Sequence, residues 1–315
     1  MRTSTSLTSL TSLTSLTFLT LAAACKKAEP PVQQAAADSA MTVGLSFKTP
    51  ESVLYDAAAD IYFVSNINGA PTAKDDNGFI SQVTPDGRVV AVTFIDGASE
   101  SVTLNAPKGM GIHGDTLFVA DIDAIRMFDR TTGQPLGSME VRGATFLNDV
   151  DVWRDGTLWF TDSGLKPDFT ASGTDAIYVR GTSGIPHQVI HGADLGHPNG
   201  ILADSDGVTV VTFGSGEVYR VNLRGQRTAL AKPPHGQLDG VVRLADGTLL
   251  MSSWEDSSVV GMKAGETMYT MVQHPIPTPA DIGLDTKRNR LLVPVFSGDR
   301  IEIRPITAGP AAHQP

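Results

Sequence analysis

One pattern recurs six times between residues 50 and 306, and it constrains the fold more than any other feature of the chain. Each copy opens on a short motif: PESVLYD at Pro50, PKGMGIH at Pro107, LNDVDVW at Leu147, PNGILAD at Pro198, LDGVVRL at Leu238 and PADIGLD at Pro279. A second apolar run follows each motif: IYFVSN, TLFVAD, TLWFTD, VTVVTF, TLLMSSW and RLLVPVF. Asp155-Gly156, Asp206-Gly207 and Asp246-Gly247 punctuate the first hairpins, and Pro85-Asp86-Gly87, Thr132-Gly133 and Arg224-Gly225 the outer ones. Repeats of this length, with about four short strands each, are the signature of blades around an axis. No stretch sustains a helical period. The expected fold is all-β: a six-bladed β-propeller over residues 41–306.

The sixth copy has three strands and then a Pro/Ala-rich tail, residues 307–315. Its fourth strand must come from elsewhere. The β-prone segment Met41–Lys48 precedes the first opening motif and is expected to complete blade six, which closes the ring and removes the free sheet edges. Composition permits this: 41% hydrophobic residues supply a core, and 18% charged residues are too few for a disordered chain. The net charge of −10 argues against a nucleic-acid partner. A single cysteine, Cys25, excludes both a disulfide framework and a zinc site built on Cys pairs.

Residues 1–24 have one charge, Arg2, then spaced leucines diluted by Ser and Thr, then Ala22-Ala23-Ala24. This composition is too polar for a membrane span and reads as a secretory signal peptide. Leu21-Ala22-Ala23-Ala24-Cys25 resembles a bacterial lipobox, although the Leu stands four places before the Cys instead of three. The expectation is lipidation of Cys25, a flexible tether over residues 25–40, and a lipoprotein in the periplasm or on the outer membrane of a Gram-negative bacterium. Lys26 and Lys27 follow the Cys where an inner-membrane lipoprotein would carry Asp. Ordinary cleavage after Ala24 is the plainer alternative. Beyond that lipid no membrane contact is expected, and a closed ring needs no partner copy, so the protein is expected to be monomeric.

Inner strands of a propeller begin at one mouth of its channel, so their second residues converge there. These are Glu51, Lys108, Asn148, Asn199, Asp239 and Ala280. Two carboxylates and two amides around an axis suit a hard cation with oxygen ligands. No Cys or His lies in the set. Calcium is the expected ion, with magnesium, manganese and zinc left open. Asn and Asp also favour turns into strands, which is the structural explanation for the same residues. Gly109-Met110-Gly111-Ile112-His113-Gly114 matches a dinucleotide fingerprint as a string, but it leads into a strand and not a helix.

On these residues the chain resembles the SMP-30/gluconolactonase family of metal-dependent six-bladed propellers, and the related diisopropyl-fluorophosphatase. The resemblance implies a divalent cation held by Glu51, Asn148, Asn199 and Asp239, with Asp239 as catalytic base or nucleophile and Asp149 orienting the site. It implies hydrolysis of a lactone, ester or phosphotriester. One position departs from the family: sugar-lactone members carry an Arg two residues before the first Asn, and here that residue is Phe146. A less polar substrate than a sugar lactone is therefore expected.

Lys108 is expected either to stabilise an oxyanion or to form an ion pair with Glu51. His197 and His235 fall on loops between blades, where a substrate would enter. Trp254, Asn66, Asp121 and Asp162 close second strands and are assigned to the sheet edge away from the opening motifs, as structural residues. Trp153, Trp159, Phe160 and Tyr219 are assigned to packing between blades. The polar loop Ile67–Gly78 is of the kind that carries binding. The main alternative is a non-catalytic, surface-tethered propeller that binds a ligand or protein partner and keeps a structural cation.

Overall fold

The computed structural model describes residues 40–181 and 184–306. The expected signal peptide, Cys25, all but the last residue of the expected tether, and the tail from residue 307 lie outside the described residues. Six antiparallel sheets of four strands each follow one another along the chain. Their inner strands are Pro50–Asp56, Pro107–His113, Leu147–Val152, Pro198–Asp204, Leu238–Arg243 and Gly283–Asp285. Among the described residues the only helical elements are two 3-10 turns, Ala193–Leu195 and Phe296–Gly298. The fold is a six-bladed β-propeller.

The sequence periodicity explains how the blades pack. Side chains alternate between the two faces of a strand, and in a propeller those faces belong to two different interfaces. Trp159 packs against blade four while its neighbour Phe160 packs against blade two. The result is one apolar cluster at each interface between consecutive blades, six in all. Tyr219 belongs to the same cluster as Trp159, and Trp153 packs against its margin. The turn glycines Gly87, Gly133, Gly156, Gly225 and Gly247 all have φ between 73° and 86°, the left-handed region that the tight hairpins require.

The ring closes as the sequence implies, with a shorter strand. Met41–Val43 is the outermost strand of blade six and pairs antiparallel with Arg300–Pro305, Val43 opposite Ile301. Val43 and Phe47 are buried in the cluster between blades six and one. On the same seam Asp60 of blade one receives both guanidinium nitrogens of Arg288, at 2.8 and 2.7 Å, and the Lys287 ammonium at 2.8 Å.

A register break at the start of the inner strands positions the mouth of the channel. In blades one to five the first residue of the strand pairs normally, and pairing resumes three residues later, shifted by one. The second and third residues thus leave the ladder, which is the geometry of a β-bulge. Hydroxyls at the end of the second strand take up the freed amides: Ser65 for Ser52, Thr161 for Asp149 and Ser252 for Gly240. The inner strands crowd at this level. A Cβ on Gly200 would run into the Asp239 carbonyl oxygen, and one on Gly240 into the amide of Ile282.

Candidate active site at the channel mouth

The six residues that follow the first residue of each opening motif are all buried. Five of them, Glu51, Lys108, Asn148, Asn199 and Asp239, form the floor of one cavity of about 490 Å³, and Ala280 is the sixth. Glu51, Asn148, Asn199 and Asp239 are each 4–5% exposed. Each also has one side-chain oxygen buried with no hydrogen-bond partner: Glu51 Oε2, Asn148 Oδ1, Asn199 Oδ1 and Asp239 Oδ1. Unpaired buried acceptors are rare because each costs about 1–3 kcal/mol. Four from four blades, in one cavity, form a set of oxygens that could hold a cation. Among the described residues no three His, Cys, Asp or Glu side chains cluster as metal ligands; half of this set is amide.

The electrostatics agree. Burial, then repulsion from Asp239 and Asp281, raises the Glu51 carboxyl well above its usual range, and Lys108 offsets only part of this. Burial, then Asp149, likewise raises Asp239. The Trp254 indole N–H faces Asp239 and lowers it in part, although Trp254 Nε1 and Asp239 Oδ1 form no hydrogen bond of normal geometry. Asn148 is held by its other end, Nδ2 donating to Ser163 Oγ at 3.0 Å, which in turn donates to the Pro198 carbonyl. That anchor turns the amide oxygen into the cavity.

Lys108 is almost fully buried, and burial lowers its ammonium to about 8 against the opposing pull of Glu51 and Asp121. The expected ion pair with Glu51 does not form at contact distance. The ammonium donates to the Ala106 carbonyl at 3.0 Å and stands 4.6 Å over the Phe146 ring. Phe146 lines the cavity, fixed by its amide, which donates to Asp162 Oδ1 at 2.9 Å.

Three residues assigned to this pocket lie elsewhere. Asp149 turns along the channel to a smaller cavity of about 140 Å³ with Asp151 and Asp281, because its carboxylate accepts the amides of Val150 and Ile201. His197 is drawn sideways: Nδ1 lies 2.7 Å from the Ser163 carbonyl and 3.1 Å from Asp175. It therefore touches the site only through the backbone that carries Ser163. His235 is half exposed beside Asp256 and lines a separate surface depression.

The ends of the second strands are not at the far edge of the sheets. Antiparallel pairing sets them against the starts of the inner strands, as in Pro50 with Asn66 and Leu238 with Ser253. Asn66, Asp121 and Asp162 do have structural work there, accepting the amides of Lys48, of Asn105 and Ala106, and of Thr145 and Phe146. Trp254 does not: with Ile67, Phe213 and Phe296 it forms the wall of the cavity. All four stand just after a second strand ends, a periodic position that was open to recognition in the repeats. The loop after Asn66 also contributes Gly69 and Pro71 to the rim.

Fold and site together define the class: a six-bladed propeller with a ring of buried oxygen donors at one mouth of its channel. The sequence matches the SMP-30/Gluconolactonase/LRE-like region over residues 49–295, and the chain belongs to that family. Among solved structures it is similar to a gluconolactonase from Xanthomonas campestris, at 19% identity and a TM-score of 0.65, covering 85% of this chain and 89% of that one. It is also similar to a streptogramin B lyase, at 11% identity and a TM-score of 0.61, covering 85% and 97%. A propeller in a nidogen/laminin complex matches at 17% identity and a TM-score of 0.56, covering 71% and 79%. At these identities the likeness is one of fold. No curated protein sequence matches the chain.

Proposed function

We propose that this protein is a divalent-cation-dependent hydrolase acting on a lactone, ester or phosphotriester. The four unpaired oxygens of Glu51, Asn148, Asn199 and Asp239 carry this reading. They fit a hard cation, calcium first, because all four donors are oxygen and two are charged. When bound, such a cation supplies Lewis acidity that polarises a carbonyl or phosphoryl oxygen. Asn148 and Asn199 would hold it without adding charge, and the Glu51 and Asp239 carboxylates would balance its charge.

Asp239 faces the same cavity and is the proton acceptor. The oxygen of an attacking water bonds to the acyl carbon, and its proton passes to the Asp239 carboxylate. The bond to the leaving alkoxide breaks, and Asp239 returns the proton to that oxygen. Lys108 sits in the floor with its charge masked by few partners, placed to stabilise negative charge as it develops. The aromatic wall keeps bulk water off the reacting centre.

The first test is thermal unfolding of chelator-treated protein during a calcium titration, wild type beside Asn199→Ala. A ligand that binds only the folded state stabilises it by mass action, about 2.7 kcal/mol at a hundredfold excess over Kd. A calcium-dependent rise in wild type and none in the variant supports the ring. No response to calcium, magnesium, manganese or zinc removes the cation and the mechanism, and leaves a tethered binding propeller. Export and lipidation at Cys25 are proposed on sequence alone. Metabolic labelling with a palmitate analogue, lost in Cys25→Ser, checks them.

A further inference from the structure

The cavity above the ring has two unlike parts. Its floor holds every ionisable group that lines it: Glu51, Asp239 and Lys108. Its wall is apolar. On one side Phe213, Trp254 and Phe296 form a continuous arc, with ring centroids 5.4 and 5.0 Å apart. On the other side Phe146 lies beneath the Lys108 ammonium, and Phe169 stands 6.5 Å from Phe146. Phe169 is 57% exposed and has φ of 61°, an apolar side chain held at the rim in a conformation that such residues avoid.

The wall has almost nothing to offer a hydroxyl. The Ser163 hydroxyl is committed to Pro198 and Asn148. The Trp254 indole N–H has no hydrogen-bond partner of normal geometry and lies against the Asp239 carboxyl at the floor, so it gives the wall a single free donor. Thr49 is the remaining polar side chain, apart from the floor, that lines the cavity. A ligand group lying between the two aromatic arcs is desolvated on both sides with few hydrogen bonds to gain. Such a site favours carbon and rejects polyols.

We infer, on the hydrolytic reading above, that the substrate is a lactone or ester carrying a bulky apolar group, an alkyl chain or aryl ring, which lies between Phe146/Phe169 and Phe213/Trp254/Phe296 while its carbonyl reaches the floor. Each methylene buried there adds about 4-fold to kcat/KM until the cavity is filled. Each sugar hydroxyl stripped of water against the wall costs about 10-fold. The family name thus does not describe the substrate of this chain.

The test measures kcat/KM by acid release, in the presence of calcium, for γ-lactones with alkyl tails from methyl to nonyl, beside glucono-δ-lactone. The expected result is a rise with tail length to a plateau, and a sugar lactone at least about 100-fold below the best substrate. Phe169→Ala, at an exposed position, and Phe213→Ala flatten the slope: the ratio of kcat/KM between the longest and shortest tails falls. A second arm measures binding of cyclic ketones with the same tails, which cannot be hydrolysed, through the change in protein fluorescence that is lost in Trp254→Phe. Affinity that rises with tail length without turnover of any lactone or ester supports the wall's selectivity and overturns the hydrolytic reading. Turnover of the sugar lactone equal to that of the alkyl lactones, or affinity flat along the series, overturns the inference and leaves hydrolysis standing. Absence of both binding and turnover overturns both.

Discussion

Asp239 shows how much one residue depends on its place. In the sequence it is an Asp before a Gly, a pair found in many turns. In the folded chain it is buried with an unpaired oxygen and a raised carboxyl, facing three other unpaired oxygens. Asp239→Asn keeps the volume and removes the charge. Turnover is expected to fall by at least about 100-fold, and calcium to bind more weakly, while the far-UV circular dichroism is unchanged. A variant that hydrolyses lactones at the wild-type rate would remove Asp239 from the chemistry. Phe146 was legible as a departure from the family, but its partner Phe169 was not, because only the loop that folds back over blade three brings the two rings together.

At the scale of the element, the bulge at the start of the inner strands of blades one to five makes the site. It turns the second residue into the channel and brings the third against the next blade. Gly200 and Gly240 occupy third positions because a side chain there would meet the neighbouring strand. Gly200→Ala is therefore expected to lower stability by about 1–3 kcal/mol through overpacking and to weaken calcium binding, since the backbone it pushes is that of Asp239. Chemical denaturation with and without calcium measures both effects. The closing strand makes a second prediction. Val43→Asp places a charge in the cluster between blades six and one and unpairs the edge of blade six. A loss of about 2–4 kcal/mol and the appearance of oligomers by light scattering are expected, because an open sheet edge is a template for another strand. A Val43→Asp protein as stable and monodisperse as wild type would mean that the strand is dispensable to closure.

For the whole molecule, stability should depend on pH in two directions. Hydrogen bonds from Arg288, then Lys287, hold the Asp60 carboxyl well below its usual range at the seam of the ring. Its contribution is present above the unfolded carboxyl value of about 3.9 and is lost as pH falls through the lower folded value. Asp60→Asn should raise the pH at which acid unfolds the protein. Asp281 acts oppositely. Burial raises it to about 7, with the Ser52 hydroxyl opposing and Asp239 and Asp151 adding to the shift. The folded state therefore loses stability as pH rises from about 4 toward 7. Chelated protein should have a lower Tm at pH 8 than at pH 5.5, a gap that Asp281→Asn narrows and that a bound divalent cation reduces. An equal Tm at both values would mean that Asp281 is solvated in solution.

The blade count, the closing strand and the ring of second residues were all present in the sequence, because each depends on local periodicity. Alternation sets which face of a strand is apolar, turn chemistry sets where strands end, and equivalent positions in a repeat must occupy equivalent places around an axis. The wall of the cavity and the fates of Asp149, His197 and His235 were not present there. Trp254 was assigned to the wrong edge although the antiparallel hairpin already implied the right one. Asp149 is adjacent to a donor of the ring, yet the bulge and the amide of Ile201 turn it down the channel. Which side chains share a cavity is decided by contacts between blades, and those contacts come from residues far apart in the chain. Periodicity carries the position of a residue around the ring; only the packed ring decides where its side chain points.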